Sequence, residues 1–293
     1  MKINVLVAIL IAVIQFTNIY GQIDRLRFKQ LNIEDGLSQS RISEIVQDSK
    51  GFIWVGTEDG LNRYDGYEFR IFTFDPTDSN SIANNVIRSL AAGDSGNLWI
   101  GTSFAGLNKY EAKTGNFTSY RHNPNNPNSI SSDRVDEIFR DNDGNLWLAT
   151  AGSGLDFFDV KTKQFTRYVH DPHNPNSVSG DRVIFIYKDS RGSVWIGTEN
   201  GLDRFYPATN TFRHYGYSAT DPDGLNSPLV RCVHEDRQGK IWFGTAGGGL
   251  NRFDPQTETF SHIFLGPNGV DNRKNWVSAI PVSYTHLTLP TIR

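Results

Sequence analysis

Three arginines, Arg41, Arg134 and Arg182, stand at matching points of a repeated phrase, each just before a short run of β-forming residues. A guanidinium fork matches the oxygens of a carboxylate or a sulfate, so repeated arginines could ring an axis and face a uronate or a sulfated unit. Pairing with a carboxylate of a neighbouring loop is the other reading, and both stay open. Asn85 is the rough counterpart in the second repeat, with Arg41 in the first. Phe104 is the one aromatic in the turn Thr102 to Gly106, where it would offer an exposed platform to a sugar ring.

Other arrangements point away from metal and catalytic chemistry. His170 and His173 flank Asp-Pro in a loop, with no third ligand at usable spacing. The string DNDG at Asp141 imitates the start of a calcium loop, but that loop closes with Glu at its twelfth position and Gly152 stands there. Cys232 is the single cysteine and reads as small buried filler. GGGL at Gly247 leads into a strand rather than the helix a phosphate loop needs, and no Ser-His-Asp arrangement is recognisable. The reading is therefore no catalytic residue, no metal and no cofactor. A formal net charge of −3 with both signs mixed along the chain excludes the basic stripe that nucleic acid requires.

The elements that must position these residues follow from a strict period. Trp54, Trp99, Trp147, Trp195 and Trp242 recur at spacings of 45, 48, 48 and 47 residues, which suits a propeller blade better than a helical repeat. Within each period, short runs rich in Val, Ile, Trp, Tyr and Phe alternate with turns of Gly, Asp, Asn and Ser, the pattern of antiparallel strands. In the fourth repeat this predicts strands over 182–187, 193–198, 202–205 and 211–215. Asp48, Asp141, Asp189 and Asp236 precede the turn glycine by three residues and are expected to fold onto turn N–H groups; Gly93 replaces this aspartate in the second repeat, where Asp94 is expected to compensate in part.

The tryptophan runs, such as FIWV from Phe52, are apolar on consecutive residues and need cover on both faces. Stacked blades provide it, with the small Gly-Thr that follows letting them approach closely. The fold class is all-β: a β-propeller of four-stranded antiparallel blades, five blades plus a stub, expected to be part of a seven-bladed ring with an apolar blade face bare at one end. Strand two to three hairpins and inter-blade links open on one face. The links, DPTDSNSIANN (75–85), RHNPNNPNSISSD (121–133), HDPHNPNSVSGD (170–181) and ATDPDGLNSPL (219–229), are dense in donors and acceptors, and that face is where recognition is expected.

The chain ends differ in kind. Residues 1–21, with Lys2, an apolar stretch from Ile3 to Phe16 and a small-residue exit at Gly21, read as a signal peptide. Residues 22–281 form the repeat domain, in which a sixth copy begins near Trp276. Residues 282–293 break the pattern and read as a non-native tail, with the natural protein continuing beyond Pro281.

The repeated phrase D-x-x-G-x-h-W-h-G-T-x-x-G-L-x-R-[YF]-D, and the opening FKQLNIEDGLSQSRISEIVQDSKGFIWVGTEDGLNRYDGYEF from Phe28 to Phe69, resemble the two-component regulator propeller repeats, over roughly Leu26 to Pro281. The resemblance implies the periplasmic sensor region of a hybrid histidine kinase. It implies a periplasmic location with the parent in the inner membrane, an oligosaccharide or related ligand, and a homodimer and a membrane segment supplied by parts missing from this chain. The kinase module is also missing, so kinase activity is not expected of this chain. An extracellular polysaccharide lyase or glycosidase, or a protein-binding scaffold, are the alternatives; near-equivalent repeats argue against the enzyme, because catalysis forces one blade to depart from its siblings.

Overall fold

The structure is a computed structural model that describes residues 30–218, 220–264 and 275–280. The expected signal peptide and the expected tail lie outside the described residues. Five antiparallel sheets, each of four strands paired in chain order, make up the repeat region. Blade 1 comprises β1 (Ile42–Gln47), β2 (Ile53–Thr57), β3 (Gly60–Tyr64) and β4 (Phe69–Phe72); blade 2, β5 (Ile87–Ala92), β6 (Leu98–Thr102), β7 (Leu107–Tyr110) and β8 (Phe117–Tyr120). Blade 3 comprises β9 (Val135–Arg140), β10 (Leu146–Thr150), β11 (Leu155–Asp159) and β12 (Gln164–Tyr168). Blade 4 comprises β13 (Val183–Lys188), β14 (Val194–Thr198), β15 (Gly201–Tyr206) and β16 (Thr211–Tyr215); blade 5, β17 (Val230–Glu235), β18 (Ile241–Thr245), β19 (Gly249–Asp254) and β20 (Thr259–Ile263). The all-β propeller expectation is met, and the fourth-repeat strands fall within about a residue or two of their expected bounds.

Apolar residues on consecutive positions can all be buried only if both sheet faces are covered. Every residue of β6, β10 and β14 is buried. The cover comes from the next blade. Trp54, Leu61 and Phe72 of blade 1 share one apolar cluster with Leu90, Leu98 and Tyr110 of blade 2, and the same straddling recurs between each later pair of blades. Ring contacts cross each boundary: Trp54 to Tyr110 at 4.9 Å, Trp99 to Phe158 at 5.7 Å, Trp147 to Phe205 at 5.3 Å and Trp195 to Phe253 at 4.9 Å. Removing a tryptophan of roughly 200 Å² from water at about 25 cal/mol per Å² stabilises the blade pair by at most about 5 kcal/mol.

The glycine after the tryptophan is required by this approach. A Cβ on Gly56 would stand 2.8 Å from the Ile87 side chain of the next blade, and one on Gly101 would stand 2.7 Å from the Val135 carbonyl oxygen. Val277 occupies the corresponding place against Gly244 and donates its N–H to the Thr245 carbonyl at 3.0 Å, as expected of a sixth copy beginning here. The first strand of blade 1 differs from its siblings. Ile45 is 51% exposed, whereas its equivalents Leu90, Ile138 and Ile186 are 3%, 6% and 5% exposed. Among the described residues, Ile45 of blade 1 is thus left open where its equivalents are covered.

The turn aspartates do more than close their turns. Asp189 Oδ1 accepts from the N–H groups of Arg191 (3.0 Å) and Ser193 (2.9 Å), while Oδ2 accepts from the Trp195 indole N–H at 2.9 Å. Asp48 with Trp54 and Asp236 with Trp242 repeat that indole bond at 2.8 Å. The expectation for Asp94 is corrected. Its carboxylate turns outward to Arg140 at 2.7 Å, because the blade 2 turn is one residue differently arranged, with a short 3-10 turn over Asp94–Gly96.

Asp189→Ala removes three hydrogen bonds, two of them to buried donors, and is expected to destabilise by about 2 to 4 kcal/mol in a denaturant or thermal melt. Asp94→Ala, which removes an exposed ion pair, is expected to cost about 1 kcal/mol or less.

Candidate functional site

The links enter their blades through three recurring bonds that hold the link-side rim in place. First, a fully buried Asn or Asp of the third strand accepts a backbone N–H from the link: Asn62 from Ser38 (2.9 Å), Asn108 from Ala83 (3.2 Å), Asp156 from Ser131 (2.7 Å), Asp203 from Ser179 (2.7 Å) and Asn251 from Asn226 (3.2 Å). Second, the link serine meets the threonine of the Gly-Thr pair, as in Ser38 with Thr57 (2.9 Å) and Ser131 with Thr150 (2.7 Å). Third, the last link residue ties back to the previous blade: Gly60 donates its N–H to the Asn85 carbonyl (2.8 Å), Gly106 to Asp133 (2.7 Å) and Gly154 to Asp181 (2.9 Å).

This register corrects one equivalence. Asn85 matches Asp133 and Asp181, not the arginines, and its side-chain oxygen accepts from the Phe74 N–H at 2.6 Å as theirs do from His122 and His170. The arginine place in blade 2 belongs to Val86. There the hairpin N–H of Ser103 donates to the Val86 carbonyl at 3.0 Å, as Ala151 does to Arg134 and Glu199 to Arg182 at 3.2 Å. One rim therefore carries Arg41, Arg134, Arg182 and the Phe104 hairpin together. Phe104 is 65% exposed, which fits a platform rather than a core residue.

Of the two readings for the arginines, ion pairing is realised at two positions. Arg134 bonds Asp136 at 3.0 Å, a carboxylate shared with Arg88 of blade 2 at 2.9 Å, and Arg41 pairs with Glu58 at 2.9 Å. Both arginines keep much of their side chain in solvent, at 48% and 76%. Arg182 is also exposed. His170 is committed to its own loop, its Nδ1 lying 2.8 Å from the Val178 carbonyl oxygen. Asp141 Oδ1 accepts from the N–H groups of Asp143 (3.0 Å) and Asn145 (2.9 Å), the turn role expected for it.

Sequence reasoning missed a set of half-buried and buried carboxyl groups. Glu44, Ser89 and Glu137 occupy one register on the first strands, opposite Gly56, Gly101 and Ala149. Burial pushes the Glu137 carboxyl up to about 8, helped by the charges of Glu44 and Asp136, and burial also raises Glu44, against the Leu90 N–H bond that its carboxylate accepts at 2.9 Å. In the third strands, burial pushes Asp156 up to about 6. Asp203 meets the ring of His214 at 2.7 Å, and that bond holds the histidine above its ordinary value. The sequence signal was available: the Asn or Asp after Gly-Leu in every repeat.

With this geometry in place, the comparisons fall into line. A family model described as two component regulator propeller matches residues 36–59, 81–104, 129–152, 177–200 and 224–247, in each case the end of a link, the first two strands and the hairpin beyond. The five blades belong to the two-component regulator propeller repeats. A segment of 56 residues is 52% identical to histidine kinase P4 of Formosa agariphila, covering 19% of this chain and 4% of the kinase. The extracellular domain of the hybrid two component system BT3049 from B. thetaiotaomicron is similar over 80% of this chain and 31% of its own length, with 31% identity and a TM-score of 0.69. PorZ of Porphyromonas gingivalis, a surface component of the type-IX secretion system, shares the fold at 16% identity and a TM-score of 0.59, over 80% of this chain and 35% of its own length. The chain thus spans about a third or less of each of these proteins.

Asp156 favours its protonated form in the fold, so its contribution to stability is fully present below the ordinary carboxylate value near 3.8 and is lost as pH rises through about 6. Asp156→Asn installs the residue of blades 1, 2 and 5. It is expected to raise the melting temperature at pH 8 and to change it little at pH 4, which thermal melts across that range would check.

Proposed function

We propose that this chain is part of the exported, ligand-sensing propeller of a hybrid two-component sensor histidine kinase, and that its ligand is a carbohydrate. Support for the sensor assignment comes from the repeat match and from the similarity to an extracellular hybrid-system domain at 31% identity. Export to the periplasm agrees with that likeness and with the reading of residues 1–21. Signalling would pass to a kinase, and homodimerisation and membrane attachment would reside, in parts of the parent beyond this chain; among the described residues no helix is long and apolar enough to cross a membrane.

The single observation that carries the ligand reading is the shared rim: Arg134 and Arg182 are fixed by equivalent bonds beside hairpin tips, and the corresponding hairpin of blade 2 presents Phe104 to solvent. A flat aromatic beside cationic forks suits a hydroxylated, acidic glycan unit. The link loops are held by buried anchors, so the rim is pre-organised and binding incurs little ordering cost. A lyase or glycosidase remains the second reading. It needs two carboxyl groups, or a Tyr and His pair, converging at one asymmetric point.

Calorimetry of the chain against a panel of uronate-containing and sulfated oligosaccharides tests both. Binding without shortened products supports sensing, and turnover supports the enzyme. Arg134→Ala with Arg182→Ala is expected to weaken binding at least about tenfold while shifting the melt little, because both side chains are solvated. A collapsed melt would mean that the arginines are structural.

A further inference from the structure

The four sibling blades set a cation over their tryptophan, and blade 3 does not. Across the second and third strands, Trp54, Trp99, Trp195 and Trp242 face Arg63, Lys109, Arg204 and Arg252, whose cations lie over the indole rings at 5.1 to 5.8 Å. Opposite Trp147 stands Phe157, its ring 4.8 Å away. In three siblings the indole N–H is bonded to the turn aspartate. Trp147 is 4% exposed and its Nε1 has no hydrogen-bond partner, while Asp141 Oδ2 faces Lys188 of blade 4 at 3.9 Å.

The departure opens a cavity of about 300 Å³ between blades 3 and 4, on the side of the turn aspartates and so opposite the rim discussed above. Its volume lies at the lower end of the roughly 300 to 1,000 Å³ range of small-molecule sites. Trp147, Phe157, Tyr168 and Phe205 give it aromatic walls, and Asp141 and Lys188 stand among its polar groups. A second hollow of about 420 Å³ adjoins it through Tyr168 and Asn210, which are themselves joined at 3.2 Å. The indole N–H itself is covered, so a ligand in the groove would meet its aromatic walls and the polar groups of Asp141, Asn145 and Lys188.

We infer that this inter-blade groove is a second binding site, for a neutral saccharide whose ring lies on Phe157 and Tyr168 and whose hydroxyls meet Asp141, Asn145 and Lys188. Charge selects the class. Asp141 and Asp143 both approach the single cation Lys188, at 3.9 and 3.8 Å, leaving an excess negative charge that disfavours uronates and sulfates. The two adjoining hollows give room for more than one ring.

The test follows the Trp147 indole resonance by nitrogen-proton NMR, assigned by its loss in Trp147→Phe, with maltose, cellobiose and lactose as probes. At least one of these is expected to move that resonance saturably. Phe157→Arg, which installs the sibling side chain in the groove, is expected to weaken that binding at least about tenfold by calorimetry and to leave the melt unchanged or raised. Arg134→Ala with Arg182→Ala is expected to leave it intact. The inference is overturned if none of the three sugars moves the resonance at millimolar concentration, if binding survives Phe157→Arg, or if it is lost in the arginine pair instead; that last result would assign the sugar to the rim.

Discussion

A four-stranded blade cannot cover its own second strand. Consecutive apolar residues such as those of β6 or β14 leave one face of the sheet bare, and the deficit is met by the blade that follows in sequence. The tryptophan is the measure of that dependence. Trp54 and Trp195 are 1% and 0% exposed with a complete neighbour, whereas Trp242 is half-buried. The whole repeat is shaped to permit this contact: glycine where the next first strand presses in, threonine to seal the hairpin, and an aspartate to take the indole N–H.

The rim inherits its order from the same device. Because each link must deliver a first strand into the glycine gap of the previous blade, its last residues are pinned on both sides, by the hairpin glycine behind and the buried Asn or Asp ahead. Variable residues such as Arg134, Arg182 and Phe104 are then displayed from fixed backbone. Polar groups at these anchors are buried, so an unpaired charge there is costly: Asp156 Oδ1 has no partner and its carboxyl favours the proton, whereas Asp203 holds a histidine.

Much of this was legible in the sequence because period and strand alternation are local signals. The five tryptophans gave the blade count, and the turn aspartates gave the hairpins. What escaped were relations between segments far apart in the chain. The bond from Ser131 to Asp156 spans 25 residues, and the stacking of a basic side chain over the indoles of blades 1, 2, 4 and 5 depends on strand register, not spacing alone. Asn85 stands one residue before the arginine place, which Val86 takes in blade 2, and the bonds to Gly60 and Phe74 reveal its true equivalents. The GLxR pattern was visible, and so was its lapse at Phe157, but without the cross-strand pairing neither had a physical meaning.

The central claim is that stability resides in ring contacts across blade boundaries. A double-mutant cycle on Trp195 and Phe253, whose rings meet edge to face at 4.9 Å across blades 4 and 5, measures it directly. The account predicts a coupling free energy of about 0.5 to 1.5 kcal/mol or more for Trp195→Leu with Phe253→Leu. Strictly additive losses would contradict it, for the two blades would then be standing independently.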